Sequence, residues 1–256
     1  MSGQKEKEEA FDQFQTIVLS LLKRVYELSI GNATFFQLML VDSEFRLQDL
    51  QGELCKQTGC EAVFQHLREI NEDQLHILRF SYARNSIVTT VSIFDSFLSD
   101  LTKFLLILFP ETVSKDRQVK VGDVVNCKSV SEVLDTILGK LVYEISYKSI
   151  RARIQYLDQS FGIRLATYSG LIDKVQHFSE LRNVLIHDIS TYHYKSERYK
   201  GRLKVIERPE AQAANWDTAK EVLEACEELI DAIFVATSKR VFKREPNAKV
   251  STRPSL

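Results

Sequence analysis

The chain has 256 residues, 44% of them apolar, enough to bury a sizeable core as one large domain or as one domain with an extension. Its 34 basic and 35 acidic residues leave a formal charge of −1, which excludes a global basic field for gripping nucleic acid and confines any such contact to a local patch. With nine Gly and four Pro in the whole chain, an all-β architecture built on many tight turns is disfavoured.

The opening MSGQKEKEEAF is charged and polar, and reads as neither a secretory signal nor a membrane anchor. From about residue 8 to 29, Phe11, Phe14, Ile17, Val18, Leu21, Leu22, Val25 and Leu28 recur at helical spacing, with Gly31 as the stop. A second helix is expected over 33–56 and a short one over 61–70, so residues 1–70 form a helical extension. A long helix then runs from about 71 to 108 and closes at Phe109-Pro110. Its stripe is Ile87, Val91, Phe94, Leu98, Leu101 and Leu105. The greasy end of that helix, KFLLILFP, is too short to cross a bilayer, so no membrane contact is expected and the chain reads as soluble and cytoplasmic.

Residues 110–128 are polar and alternate weakly around VKVGDVV, which predicts a loop with a short strand. Ser129 or Ser131 caps a helix through SEVLDTILGKLVYEI, and SYKSIRARIQYLDQSF gives another. A further helix begins near Thr167 and carries Leu171, Val175, Phe178, Leu181 and Leu185. Beyond it, TYHYKSERYKGRLKVIERPEAQAAN lacks a helical period and reads as a loop or small hairpin. Asn215 caps a closing helix from Trp216, and 244–256 reads as a disordered tail. The fold class is therefore all-α, an antiparallel helical bundle over 71–243 with the N-terminal extension.

Four cysteines, Cys55, Cys60, Cys127 and Cys226, show no disulfide framework. Cys55 and Cys60 with His66 and His76 downstream sketch a zinc site, but the paired C-x2-C spacing is missing, and free thiols are the simpler reading. No phosphate-cradling glycine loop, G-x-S-x-G elbow or H-E-x-x-H pair is present, so ATPase, serine hydrolase and zinc protease readings have no footing.

One helix is unusual. SELRNVLIHDI carries a cation, an amide and an imidazole among packing residues. At 100° per residue, Arg182 falls within the stripe of Leu171, Val175, Phe178, Leu181 and Leu185, whereas Glu180, Asn183 and His187 fall on the polar side. A guanidinium aimed into packing needs a carboxylate or an open cavity to receive it, and Asp95 in SIFDSFL is the candidate. Arg182 and His187 stand five residues apart, about 140° around a straight helix and ~7.5 Å along it. Both can reach one phosphate only if the helix bends or ends near Leu185, or if a second copy of the chain supplies its own pair.

The segment RNVLIH resembles the R-[polar]-x3-5-H signature of the HEPN superfamily, whose members are helical bundles that often dimerise with two motifs facing one cleft; the resemblance covers roughly residues 72–242. It implies a metal-independent ribonuclease without cofactors, a toxin or antiviral-defence effector controlled by an antitoxin or an activating protein. It implies that His187 handles protons, Arg182 holds phosphate charge, Asn183 orients phosphate or His187, and Asp95 and Glu180 support them. The products would be a 2′,3′-cyclic phosphate and a 5′-hydroxyl. One subgroup carries a Tyr two residues after the His; here that position is Ile189, so that mode of regulation does not carry over.

Lys195, Arg198, Lys200 and Arg202, interleaved with Tyr194, lie just beyond the motif and suit the gripping of single-stranded RNA. Two plainer alternatives stay open. Arg182 can be a structural partner of Asp95 with His187 facing a helix end, and the bundle can be a non-catalytic protein-interaction module.

Overall fold

In the computed structural model, the described residues are 8–21, 23–25, 27, 72–113, 120–198 and 215–244; for 72–79, 121, 123 and 187–198 the backbone alone is described. All regular structure among them is helical, so the chain is all-α. The elements are α1 (residues 8–27), α2 (Glu72–Leu108), a short 3₁₀ turn (Pro110–Thr112), α3 (Val121–Val124), α4 (Val130–Ser146), α5 (Ile150–Phe161), a second 3₁₀ turn (Ala166–Tyr168), α6 (Ser169–Arg198) and α7 (Trp216–Thr237). No helix among the described residues is long and apolar enough to cross a membrane.

Helix α2 organises the bundle, because α4, α5, α6 and α7 all pack against it. Its stripe of Ile87, Val91, Phe94, Leu98, Leu101 and Leu105 is buried, as the spacing requires. Val175, Phe178, Leu181 and Leu185 of α6 meet this stripe, together with Leu229, Ile230, Ile233 and Phe234 of α7 and Ile150, Ile154 and Leu157 of α5. Each such side chain removed from water is worth roughly 1.5–3 kcal/mol, so this cluster is the main driving force for the fold. Leu106 starts a second, smaller cluster with Leu138, Leu141 and Ile145, which seats α4.

Helix α1 belongs to the main core. Phe11, Phe14, Val18 and Leu21 are buried in the same cluster as the bundle residues, and the Phe14 ring stacks against Phe234 at 5.4 Å and Phe242 at 5.5 Å. The beginning of the N-terminal segment is thus a packed helix of the bundle. The helices expected over 33–56 and 61–70 lie outside the described residues, as does the tail beyond Arg244.

Polar signals set the helix ends. The Ser129 side chain accepts from the Glu132 N–H, and Glu132 in turn accepts from the Lys128 N–H at 2.7 Å, a reciprocal cap for α4. Ser149 caps α5 through the Ala152 N–H, and Asn215 caps α7 through the Thr218 N–H at 2.9 Å. Helix α5 stops at Gly162, which adopts φ 69° and donates its N–H to the Asp158 carbonyl at 2.8 Å.

Two expectations are corrected. The strand sketched in VKVGDVV is a single helical turn, α3. A lone strand leaves its N–H and C=O groups unpaired, and no strand exists among the described residues to pair with it. The loop expected from Thr191 onward is helical through Arg198, because α6 continues without a break. TYHYKSER contains neither Gly nor Pro, and extending a helix already nucleated by packing costs little per residue, so the missing apolar period does not end it.

Gly162→Ala is expected to destabilise the protein by roughly 1–2 kcal/mol, because the added Cβ must adopt a left-handed backbone and would stand 2.8 Å from the Arg240 Nε. Urea unfolding of the two proteins reads this directly. An unchanged midpoint would mean that this helix end relaxes freely.

Candidate functional site

The site grows from α2, α5 and α6. Asp95 lies on α2 between Phe94 and the Phe97–Leu98 pair, at the edge of the buried stripe, and its side chain is 25% exposed. From α6, Arg182 Nη2 donates to Asp95 Oδ2, so the carboxylate nominated for it does receive it. The other oxygen of Asp95 belongs to a residue that the sequence argument passed over. Arg153 of α5 donates from Nη1 to Oδ1 at 3.0 Å, and from Nη2 to the Asp95 main-chain carbonyl at 2.8 Å and to Ser99 Oγ at 2.9 Å. The Ser99 hydroxyl in turn donates to the same Asp95 carbonyl at 3.0 Å.

Two guanidiniums therefore share one carboxylate, one on each oxygen. They differ sharply in exposure: the Arg153 side chain is 2% exposed, that of Arg182 20%. Burial lowers the Arg153 pKa, Asp95 beside it acts in the opposite sense, and Arg182 opposes its charge again. Among the described residues, the Nε–H groups of both arginines are buried without a hydrogen-bond partner, so neither guanidinium is fully satisfied. A second bond joins α2 to α6: Arg84 of α2 donates through Nη2 to the Leu185 carbonyl.

Signals for these extra residues were present. Ile150, Arg153, Ile154 and Leu157 are the buried residues of α5 and follow helical spacing, so the test that singles out Arg182 also singles out Arg153. Ser99 stands four residues after Asp95, one turn on, and carries no mark beyond that.

The remaining candidates are less concentrated. Asn183 is exposed on α6 beside Arg182. Glu180 is exposed and accepts from Gln176 Nε2 at 2.9 Å along its own helix, away from the Asp95 cluster's hydrogen bonds. His187, Tyr194, Lys195 and Arg198 lie on the continuous backbone of α6, beyond the part whose side chains are described. Lys200 and Arg202 lie outside the described residues, as do Cys55, Cys60 and His66. No group of three or more metal-ligating side chains occurs among the described residues.

Because α6 runs unbroken through Arg198, it does not end near Leu185, which removes one of the ways in which Arg182 and His187 of a single chain could meet at one phosphate. Comparison with protein-family models, with curated proteins and with solved structures returns no match.

Cys226 of α7 is fully buried, and burial first, then the charge of Asp95, pushes its thiol far above the usual range. It therefore stays protonated and inert. Iodoacetamide at pH 8 is expected to leave Cys226 unlabelled in the folded protein and to label it on unfolding, read by peptide mass spectrometry; rapid native labelling would place it in contact with solvent. A second outcome concerns the carboxylate. Asp95→Ala strands Arg153 without its counter-charge and is expected to cost about 3–5 kcal/mol. Arg151→Ala, which breaks a solvent-exposed pair with Asp173, is expected to cost less than about 1 kcal/mol. Equal losses in denaturant titrations would show that the buried cluster adds nothing special.

Proposed function

We propose that the chain is a HEPN-like, metal-independent endoribonuclease that works as a homodimer. The observation that supports this most is the setting of Arg182. A carboxylate on a second helix orients its guanidinium, yet that carboxylate is already engaged by Arg153, and Arg182 keeps the more exposed position beside Asn183. A partly exposed, pre-oriented guanidinium of this kind suits contact with a phosphodiester, where it stabilises the charge that builds as the 2′-oxygen attacks. His187 supplies the proton transfers, taking the 2′-hydroxyl proton and returning one to the leaving 5′-oxygen. The continuous α6 favours a composite site in which the Arg182 of one copy works with the His187 of the other, since about 140° of helix separates the two within one chain. The toxin or defence role and the controlling protein partner follow from the same resemblance; the cytoplasmic setting rests instead on the polar N-terminus and the free thiols.

A second reading, a non-catalytic helical interaction module, is favoured by the same ion pair, because Arg182 joined to Asp95 has a packing role without any substrate. The two readings part on His187, for which the module reading has no use.

The deciding experiment is cleavage of total cellular RNA and tRNA in EDTA by wild type, His187→Ala and Arg182→Ala. The ribonuclease predicts cleavage that leaves cyclic-phosphate ends and that both substitutions abolish. It also predicts that mixing the two dead variants restores about a quarter of wild-type activity, since half the dimers are mixed and each of those holds one intact composite site of two. No cleavage by the wild type with activating partners supplied, together with a loss of melting temperature in Arg182→Ala alone, would establish the interaction module instead.

A further inference from the structure

We infer that Arg153 is a positioning residue whose buried charge cancels Asp95 and so leaves Arg182 cationic toward a phosphate-bearing ligand. The inference deepens the ribonuclease reading and rests on it for the nature of the ligand.

The argument is one of charge and geometry. Asp95 meets Arg182 through Oδ2. Were those two groups alone, carboxylate and guanidinium would neutralise each other, and the pair would offer an incoming anion little. Arg153 changes this. It takes Oδ1, is almost wholly buried, and adds its hydrogen bonds to the Asp95 carbonyl and Ser99 Oγ, so it is held to α2 at three points. The charged groups that act on Arg153 are Asp95 and Arg182, and the three together carry one surplus positive charge. That surplus is expressed at the more exposed member, Arg182. Desolvating a guanidinium at Arg153 is costly, and a neutral side chain of similar length would pack α5 against α2 without that cost. The charge is accounted for if it acts on what Arg182 can bind.

The contacts also fix direction. Each carboxylate oxygen holds one guanidinium, so Asp95 orients Arg182 through Oδ2 while Arg153 occupies Oδ1.

The test is a thermal titration of the full chain with inorganic phosphate at constant ionic strength. Its readout is the concentration that half-saturates the rise in melting temperature. Arg182→Gln supplies the baseline, because the general stabilisation by phosphate salts is unsaturable and is shared by every variant. Wild type should show a saturable rise that Arg182→Gln lacks. Arg153→Met should need at least about tenfold more phosphate, as the surplus charge is gone. Arg153→Lys, which keeps the charge, should stay within about threefold of wild type. Arg153→Met combined with Asp95→Asn removes both buried charges; it should fold even if Arg153→Met does not, and should need several-fold less phosphate than Arg153→Met, because Arg182 is again without a neutralising carboxylate.

A purely structural Arg153 would lower the melting temperature of Arg153→Met while leaving the half-saturating phosphate unchanged, and that result overturns the inference. So does a wild type with no saturable response, or a double variant that folds but does not recover binding. The ribonuclease reading is judged separately by RNA cleavage: the predicted charge pattern in a protein that cuts no RNA keeps the charge device and removes the nuclease.

Discussion

The Asp95 carboxylate is the constraint on which the rest of the structure turns. It lies on α2, the helix that all the main bundle helices touch, and it binds one arginine from α5 and another from α6. Apolar packing can hold three helices together in several registers, since one Leu fits against another with little regard to a shift along the axis. A carboxylate with one guanidinium on each oxygen tolerates far less, because any slip leaves a charge without a partner in a poorly solvated place. The hydrophobic cluster supplies most of the stabilisation, and the ion cluster ties α5 and α6 to one turn of α2.

Two layers of core serve different ends. The main cluster joins α1, α2, α5, α6 and α7, and the small one around Leu106 seats α4 alone. Where α7 ends, the chain relaxes into a π-turn over Ser238–Phe242 that carries Phe242 onto Phe11, Phe14 and Phe104. Two arginines at this end are packed. Arg240 rests over Gly162, and Arg244 reaches Glu8 and stacks over the Phe11 ring at 4.9 Å. The first helix and the last thus meet at one end of the bundle.

Charge and chemistry meet in one segment because α6 is asked to do two things. Up to Leu185 it is a core helix with Val175, Phe178, Leu181 and Leu185 buried. Arg182 belongs to that packed half by position, although it is a cation. Past Leu185 the backbone of the helix continues unbroken through Arg198, and His187 lies on that stretch. Five residues of helix separate it from Arg182.

Much of this was legible in the residues alone. The stripe from Ile87 to Leu105, the caps Ser129 and Asn215, and the end of α2 before Pro110 follow from periodicity and local hydrogen bonding, which act over a few residues. The same is true of an arginine lodged in an apolar stripe, which announced that Arg182 needed an acceptor. Tertiary structure decided the rest. That the acceptor is shared with Arg153, that Ser99 steadies it, and that Arg84 reaches the Leu185 carbonyl depend on which turn of α2 faces which turn of α5 and α6. Residues 95 and 153, or 84 and 185, are too far apart along the chain for any local preference to bring them together. The length of α6 was settled by the same cause: a helix nucleated by its packed half carries on through TYHYKSER, where local periodicity had stopped. Short-range physics wrote the elements, and the desolvation of a few charges between elements fixed how they meet.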